Sequence, residues 1–425
     1  MYRLMYYIVI AGAALLFLFN APLLNLVGWA YSTGGGSILT KIHPSFYLFF
    51  IGAGVSLFFG QRRSWALVMT PRFIVYLIAV LALLGRAIFI TLAGKNEGEL
   101  SSIIDTFLTP LFLLICLYVI NPPDLTKIGM ALRIFFVCNS LMGLVERLVG
   151  FRFIPSFLDQ YINQDRAAAM LGHPLNAALL TGTLIVYLTT ATQTRTRMSL
   201  RVPELLLHTL AMFAYGGRSA LVFTVAVVLL GSIMVRQEAG GPKVGMAQRL
   251  LPFFIIIAGV GLVFLPIPFI DATLDRFTND TGSSQTRDSA LQVLGMLSFD
   301  QLMTGINVTQ RETFMTFFNT PAGFEVSWIA LTVTYGLLAT IPMMIGLPTL
   351  LFGTARPLDR SAFYIAVLFM IVTIGSLSLG SKSLLLSQTL ILMLVLTQRG
   401  NLAIGRSAID GRGQARQSVL PQPRP

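Results

Sequence analysis

Long apolar runs, separated by short polar stretches, follow one another along almost the whole chain. Each run approaches the roughly 20 residues that an α-helix needs to cross the hydrocarbon core of a bilayer. Runs of this length predict transmembrane helices rather than strands. We expect twelve spans, at residues 4–24, 43–60, 73–93, 101–120, 128–149, 168–192, 202–215, 219–235, 250–270, 323–353, 361–380 and 382–398.

The composition predicts an all-α, polytopic membrane protein and excludes a soluble multidomain protein. Of the 425 residues, 55% are hydrophobic and only 11% are charged, with a mean hydropathy of +0.76. In soluble domains about a quarter of all residues are charged, so this chain has too few charged residues to form a water-facing surface. The run at 323–353 is long enough to tilt or to contain an interfacial turn. We therefore expect a transmembrane domain over residues 1–398.

The net charge of +12 is a signal of topology. If the N-terminus is cytoplasmic, the cytoplasmic segments hold 19 basic and five acidic residues, and the outer segments hold 11 basic and 13 acidic residues. Because Lys and Arg accumulate in cytoplasmic loops, we expect both termini in the cytoplasm, and nucleic acid is not needed as a partner to explain the charge. The Gly-, Arg- and Pro-rich tail at 399–425 is expected to be disordered.

The largest external segment, residues 271–322, is expected to form a helical cap. Its leucines at positions 291, 294, 297 and 302 lie near one face of a predicted helix, and a second helix is predicted at 311–318. Apolar faces on an external segment indicate a cap over the membrane domain, or a lid over a cavity.

Four basic residues are expected at the outer ends of the spans, where each ionisable group is a candidate for function. Arg218 follows two glycines and opens a helix, so its guanidinium and the free N–H groups of the first turn predict an anion site. Lys382 lies in a very short hairpin. Alternatively, Arg218 has a structural role and stabilises the turn, and Lys382 contacts a lipid headgroup.

Arg86 and Arg287 complete this basic set. Arg86 lies late in the third span, where its alternative role is snorkelling to the interface or pairing with Glu146 or Asp105. Arg287 follows a Gly/Ser/Thr stretch and opens a helix. Its alternative role is a solvated salt bridge with a neighbouring carboxylate, Asp288 or Glu312.

Three uncharged or acidic candidates accompany these cations. His173 precedes Pro174 at the outer start of the sixth span, and Asn176 lies three residues further on the same helix face. Glu325 starts the tenth span directly after the cap and is a candidate general base. Alternatively, His173 is a structural, hydrogen-bonded histidine, and Glu325 interacts with the dipole at the start of its helix. The sequence indicates no metal site, nucleotide motif or cofactor.

Three stretches resemble the O-antigen polymerase/ligase superfamily. They are Gly-His-Pro-Leu-Asn-Ala-Ala at 172–178, Gly-Arg-Ser-Ala-Leu at 217–221, and the external loop with its Arg-led helix and Gly-Ile-Asn turn at 305–307, followed by Tyr-Gly-Leu-Leu at 335–338. The resemblance covers residues 165–345. It implies a GT-C-like, inverting, metal-independent glycosyltransferase without a cofactor, which uses undecaprenyl-pyrophosphate-linked sugars at the periplasmic face of the inner membrane.

The resemblance also implies roles for the candidate residues. Arg218, Glu325 and His173 become catalytic candidates, and the substrate-binding candidates are Arg287, Lys382, Arg86, Asn176 and Ser219. Ligases of the superfamily usually carry a histidine near the start of the helix after the large loop, and this chain has none there. We therefore expect an exopolysaccharide polymerase. The expected partners are membrane lipid, a chain-length regulator and export proteins. An O-antigen ligase that transfers glycan to lipid A core, and a transporter or flippase of the precursor, are the alternatives.

Overall fold

In the computed structural model, the described residues form helices joined by turns and loops and contain no strand, which confirms the predicted all-α class. The structure describes residues 2–31, 37, 39–92, 99–154, 166–191, 198–234, 283–318, 320, 323–376 and 379–398. The helices are α1 (Tyr2–Leu18), α2 (Ala21–Leu26), α3 (Pro44–Phe58), α4 (Arg62–Val68), α5 (Pro71–Leu92), α6 (Glu99–Ile103), α7 (Thr109–Val119), α8 (Pro122–Val149), α9 (Pro174–Thr190), α10 (Met198–Tyr215), α11 (Arg218–Met234), α12 (Ser283–Met296), α13 (Phe299–Thr304), α14 (Val308–Phe317), α15 (Ser327–Tyr335), α16 (Leu337–Ala355), α17 (Arg360–Ile374) and α18 (Leu385–Leu396).

The apolar helices are compatible with a membrane protein. Among the described residues, α5, α8, α16 and the helix over Leu100–Val119 are long and apolar enough to cross a membrane, and α3 with α4 makes a fifth span if this bent pair counts as one. Twelve spans stay a prediction. The predicted span at 250–270, the first part of the predicted cap at 271–282 and the predicted disordered tail at 399–425 lie outside the described residues.

Helix α9 is the centre of the bundle because almost all of its faces are buried. It packs against α8, α10, α11, α17 and α18. A small residue permits this close packing. Gly182 lies so near Thr224 of α11 that a Cβ at residue 182 would overlap the Thr224 hydroxyl. On one side of this group α1, α3 and α7 pack together, and on another side α16 lies along α5.

One predicted span ends at a sharp bend in the structure, and another is interrupted. The run at 43–60 continues beyond Gly60, which has a φ of +67°, into α4 after a bend of 108°. The run at 323–353 is divided into α15 and α16 at Gly336, which has a φ of +80°. Both breaks use glycine because it adopts this left-handed conformation without a steric penalty.

The cap contains three short helices, α12, α13 and α14, and packs on α15. Its buried face was predicted only in part, since Ala290 and Val293 are fully buried whereas Leu291 is exposed. These residues share a small core with Ile306 and Phe324 that is separate from the core of the bundle. Helix α14 confirms a helix near the predicted 311–318 and begins at an Asn307 cap.

The bundle has two ends, which we name by a residue at each. At the Lys382 end, the Asn20 side chain donates to the Met170 carbonyl at 2.7 Å, and Lys382 reaches the carbonyl of Tyr31 at 2.9 Å. At the Asp359 end, the Asp359 amide donates to the carbonyl of Thr397 at 3.0 Å. All the candidate residues from the sequence belong to segments at the Lys382 end.

Candidate functional site

A buried ion pair lies at the centre of the Lys382 end. The Lys382 ammonium is 3.6 Å from Asp105 Oδ2 and 3.4 Å from the centre of the Tyr31 ring, and it donates to the carbonyls of Tyr31 and Lys41. Asp105 also accepts from the Tyr31 hydroxyl at 2.9 Å and from the His43 amide at 3.0 Å.

A single π-helical turn, Ile104–Leu108, presents Asp105 together with its neighbour Thr106. The Thr106 hydroxyl donates to the Ser381 carbonyl at 3.2 Å and accepts from the Ser383 amide at 3.0 Å. These bonds and the ion pair hold the hairpin from both sides of Lys382. The anionic group that the structure gives to Lys382 is therefore a carboxylate of the same chain.

The hairpin in turn fixes the start of α15. The Leu379 amide donates to Ser327 Oγ at 3.0 Å, and this hydroxyl donates to the Ser376 carbonyl. Gly380 packs on Ala330 so closely that a Cβ at residue 380 would overlap it. Glu325 lies two residues before Ser327, so the hairpin positions the segment that carries this candidate base.

Glu325 and Arg287 face each other across the boundary between the cap and α15. Their side chains form an ion pair with 3.9 Å between Arg287 Nε and Glu325 Oε2, and they are 46% and 38% exposed. The structure therefore brings two predicted site residues together, and the predicted salt bridge of Arg287 has Glu325 as its partner rather than Asp288 or Glu312. An exposed pair of this length is weak and opens easily to a ligand.

The first turns of α9 and α11 lie side by side and hold four other candidates. Gly217 packs directly on Ala178, so a side chain at residue 217 would force the two helices apart. His173 precedes Pro174 in the extended conformation that proline imposes on the residue before it. Gly216, with a φ of +63°, turns the chain into α11. The contact joins the helix start that carries His173 and Asn176 to the helix start that carries Arg218 and Ser219, and all four residues are half-buried.

The segment before His173 is held by a buried carboxylate. Glu146, at the end of α8, accepts the amides of Phe153, Ala168 and Ala169 at 2.8 to 3.0 Å. Backbone amides on both sides of residues 155–165 therefore donate to one side chain. This leaves Glu146 as an anchor for the segment and not as the predicted partner of Arg86.

Arg86 contacts the cap. Its guanidinium donates to the Thr304 carbonyl at the end of α13 and lies 5.2 Å from the centre of the Phe89 ring. Asp105, the other predicted partner of Arg86, pairs with Lys382 instead. The candidates thus form three groups: Lys382 with the hairpin, Arg86, Arg287 and Glu325 at the cap, and His173 and Asn176 with Arg218 and Ser219 at two helix starts.

Sequence reasoning missed most of the residues that organise these groups. Asp105 appeared only as a partner for Arg86, although a carboxylate inside an apolar run is a signal in its own right. His43 and Tyr31 were not considered. An alternating or helical pattern gives no sign of them, because their partners are distant in sequence.

Comparison with known proteins adds no relative. No protein-family model matches the chain, and no curated protein matches it. Within the described residues, no group of three or more His, Cys, Asp or Glu side chains is arranged to hold a metal ion.

Proposed function

We propose that the protein is an inner-membrane glycosyltransferase of the O-antigen polymerase/ligase superfamily. It polymerises oligosaccharide units linked to undecaprenyl pyrophosphate into an exopolysaccharide, in a GT-C-like bundle of twelve spans. The Lys382 end faces the periplasm, and both termini lie in the cytoplasm. The observation that supports this proposal is the close contact of Gly217, at the start of α11, with Ala178 near the start of α9.

The arrangement fits a leaving group with high negative charge. Guanidinium groups bind phosphate oxygens in a bidentate manner, and the first-turn N–H groups of a helix favour an anion at the same place. In the proposed reaction the acceptor hydroxyl attacks C1 of the donor sugar and a new glycosidic C–O bond forms. The bond from C1 to the phosphate oxygen breaks, and its electron pair leaves with the pyrophosphate, which Arg218 stabilises.

The proton of the acceptor hydroxyl passes to Glu325 or His173. Glu325 is half-exposed, and among the described residues its carboxylate is held by the long contact to Arg287, so an acceptor sugar has access to it. The remaining residues proposed to bind or position the substrate are Arg287, Lys382, Arg86, Asn176 and Ser219. Of these, Lys382 acts through the hairpin that fixes the start of α15.

The test is the size of the surface polysaccharide in cells. We expect deletion of the gene to remove long chains and to leave single repeat units, and Arg218→Ala to do the same at normal protein level. Arg63→Ala is the matched control, because Arg63 is exposed at the opposite end of the bundle. Full-length polymer in the Arg218→Ala strain would refute the proposed role of this residue.

The same experiment separates the alternatives. Polymer that is made but not attached to lipid A core indicates a ligase. Repeat units that accumulate on the cytoplasmic side indicate a flippase. Polysaccharide of unchanged amount and size in the deletion strain would exclude all three functions.

A further inference from the structure

A short transverse helix at the Asp359 end indicates where the surface of the bilayer lies. After the bend of 108°, α4 runs across the direction of α3 instead of continuing along it. Its Trp65 is 44% exposed, and the indole donates to the Leu57 carbonyl at 3.1 Å. Phe58, just before the bend, is 87% exposed. Aromatic side chains of this kind are typical of the boundary between hydrocarbon and headgroups, so α4 indicates the headgroup layer at this end.

Contacts extend this layer from α4 to the turn between α16 and α17. Arg72 comes just after α4, at the start of α5, and its side chain lies against Gly353 near the end of α16. The Arg72 guanidinium donates to the Gly353 carbonyl, and to the Tyr118 hydroxyl at 2.7 Å. Arg356 follows Gly353 by one helical turn, and Arg360 begins α17. Three arginines are thus placed in the headgroup layer.

Among the described residues, no carboxylate forms an ion pair with these arginines. Arg72 donates to two neutral oxygens, and Arg356 and Arg360 have no acidic partner in the described part of the chain. Asp359 lies between the last two in sequence, but its side chain is buried. The first 96 residues of the chain, which include α4 and the start of α5, contain no Asp or Glu. Because guanidinium groups match phosphate in geometry and charge, the turn favours a phosphate-bearing anion.

An aromatic surface adjoins the two arginines of the turn. The rings of Phe352 and Phe363 lie 5.5 Å apart and connect α16 to α17. Phe352 precedes Arg356 by four residues and Phe363 follows Arg360 by three, so each arginine shares a helix face with one ring. Phe363 is 49% exposed, and Ile345, further along the same face of α16, is 57% exposed. Two guanidinium groups therefore border an apolar surface that suits an acyl chain.

We propose that Arg356 and Arg360 form a binding site for an anionic phospholipid. The phosphate group binds the two guanidinium groups at the turn, and an acyl chain lies on Phe352 and Phe363. Arg72 adds positive charge beside the end of α16. The site is independent of the proposed glycosyl transfer, whose candidate residues lie at the opposite end of the bundle. Only its assignment to the inner leaflet rests on the orientation given under the proposed function.

The test is a titration of the purified full-length protein in a neutral detergent with dioctanoyl phosphatidylglycerol, with the bound lipid counted by native mass spectrometry. One arginine near an anionic headgroup strengthens binding by about fivefold. We therefore expect about fivefold weaker binding in Arg356→Gln and in Arg360→Gln, and recovery in Arg356→Lys, which keeps the charge. Gel filtration verifies that each variant is folded and monodisperse.

The matched control is Arg63→Gln, because Arg63 is an exposed arginine of α4 at the same end of the bundle. This variant should bind the lipid with wild-type affinity. An equal loss in Arg63→Gln would indicate a general attraction to the charge of this end and would overturn the proposal. Wild-type affinity in both Arg356→Gln and Arg360→Gln would overturn it as well.

Three comparisons determine which parts of the lipid are bound. Phe363→Ala should weaken binding by about threefold, whereas Phe58→Ala, at an exposed aromatic residue of the same end, should not. Dioctanoyl phosphatidylcholine should bind more weakly than the anionic lipid, and glycerol 3-phosphate should not displace that lipid at equal concentration. Equal binding of phosphatidylcholine would exclude an anion site. Displacement by glycerol 3-phosphate, or unchanged affinity in Phe363→Ala, would exclude a role for the aromatic surface.

The outcome is separable from that of the proposed function. If Arg356→Gln weakens lipid binding but deletion of the gene leaves the polysaccharide unchanged, the lipid site stands and the polymerase proposal fails. If Arg218→Ala removes long chains but neither glutamine variant of the turn alters lipid binding, the polymerase proposal stands and this site is wrong.

Discussion

The ion pair between Asp105 and Lys382 gives the most direct test of how the Lys382 end is held together. Replacing Asp105 by Asn keeps the shape of the side chain but removes the negative charge. The Tyr31 hydroxyl and the His43 amide, at 2.9 and 3.0 Å, then compete for one acceptor oxygen, and the Lys382 ammonium loses its counter-charge. Removal of one member of a buried pair costs about 3–5 kcal/mol. Because the Lys382 side chain is 20% exposed, we expect a value near the lower limit, about 3 kcal/mol.

The assay is the free energy of unfolding from denaturant titration in mixed micelles. The matched control is Asp124→Asn, which removes an exposed pair with Lys127 and should cost less than about 1 kcal/mol. Lys382→Met should cost a similar amount to Asp105→Asn, since it leaves the carboxylate buried alone. The double variant should be more stable than the sum of the two losses predicts, by about 1–3 kcal/mol. Additive losses, or a loss for Asp105→Asn equal to that of the control, would refute the reasoning.

Two other predictions address the cap and the loop before His173. Gly336→Ala should release the cap, because it adds both a left-handed strain of about 1–3 kcal/mol and an overlap with the Met303 carbonyl. Limited proteolysis within 283–318 should then accelerate, while Gly85→Ala, which has open space around it, should behave as wild type. Glu146→Gln should lower the free energy of unfolding by about 2–3 kcal/mol, because a charged acceptor of three amides is lost. Hydrogen exchange at the amides of Ala168 and Ala169 should become faster. The control Glu312→Gln, at an exposed residue, should change neither the stability nor this exchange.

The lengths of the apolar runs predicted helices, because in a membrane a single segment can pair all its backbone N–H and C=O groups only by forming an α-helix. They allowed a turn within the run at 323–353 but did not place that turn at Gly336. The residues on both sides, such as Val333 and Leu337, are as apolar as those of a continuous span. Glycine is also common in membrane helices, so its presence alone marks no break. The break becomes evident only where Gly305 of the cap packs on the same backbone.

The candidate site was predictable as a set of residue types but not as a set of pairs. Lys382 is predicted as a candidate because it is an ionisable residue at the end of a span, whereas Asp105 is predicted only as a partner of Arg86. Their pairing, however, depends on a π-helical turn and a hairpin that are 277 residues apart, and no local pattern encodes that contact. The same holds for Glu325, whose position depends on Ser327 and the hairpin. Sequence therefore indicates which side chains are costly to bury, and the fold determines which of them meet.

A polar seam between α8 and α10 bears on the choice between an enzyme and a transporter. His208 Nδ1 is 2.8 Å from Ser140 Oγ, and His208 Nε2 is 3.8 Å from Glu204, which pairs with Arg133. Such a series of groups could mark a substrate path in a transporter. Here, however, Ser140 and His208 are fully buried. Further along the seam, the Tyr215 ring is pressed so tightly against Gly143 that no methyl group would fit between them.

The polar groups of this closely packed seam bind each other across two helices. Asn139 extends the seam to the Lys382 end, where it donates to the Tyr215 hydroxyl at 2.8 Å and accepts the Met170 amide at 3.0 Å. The seam therefore supports the segment before His173. Because the described polar groups of the seam brace one end of the bundle, we keep the proposal of an enzyme over that of a transporter.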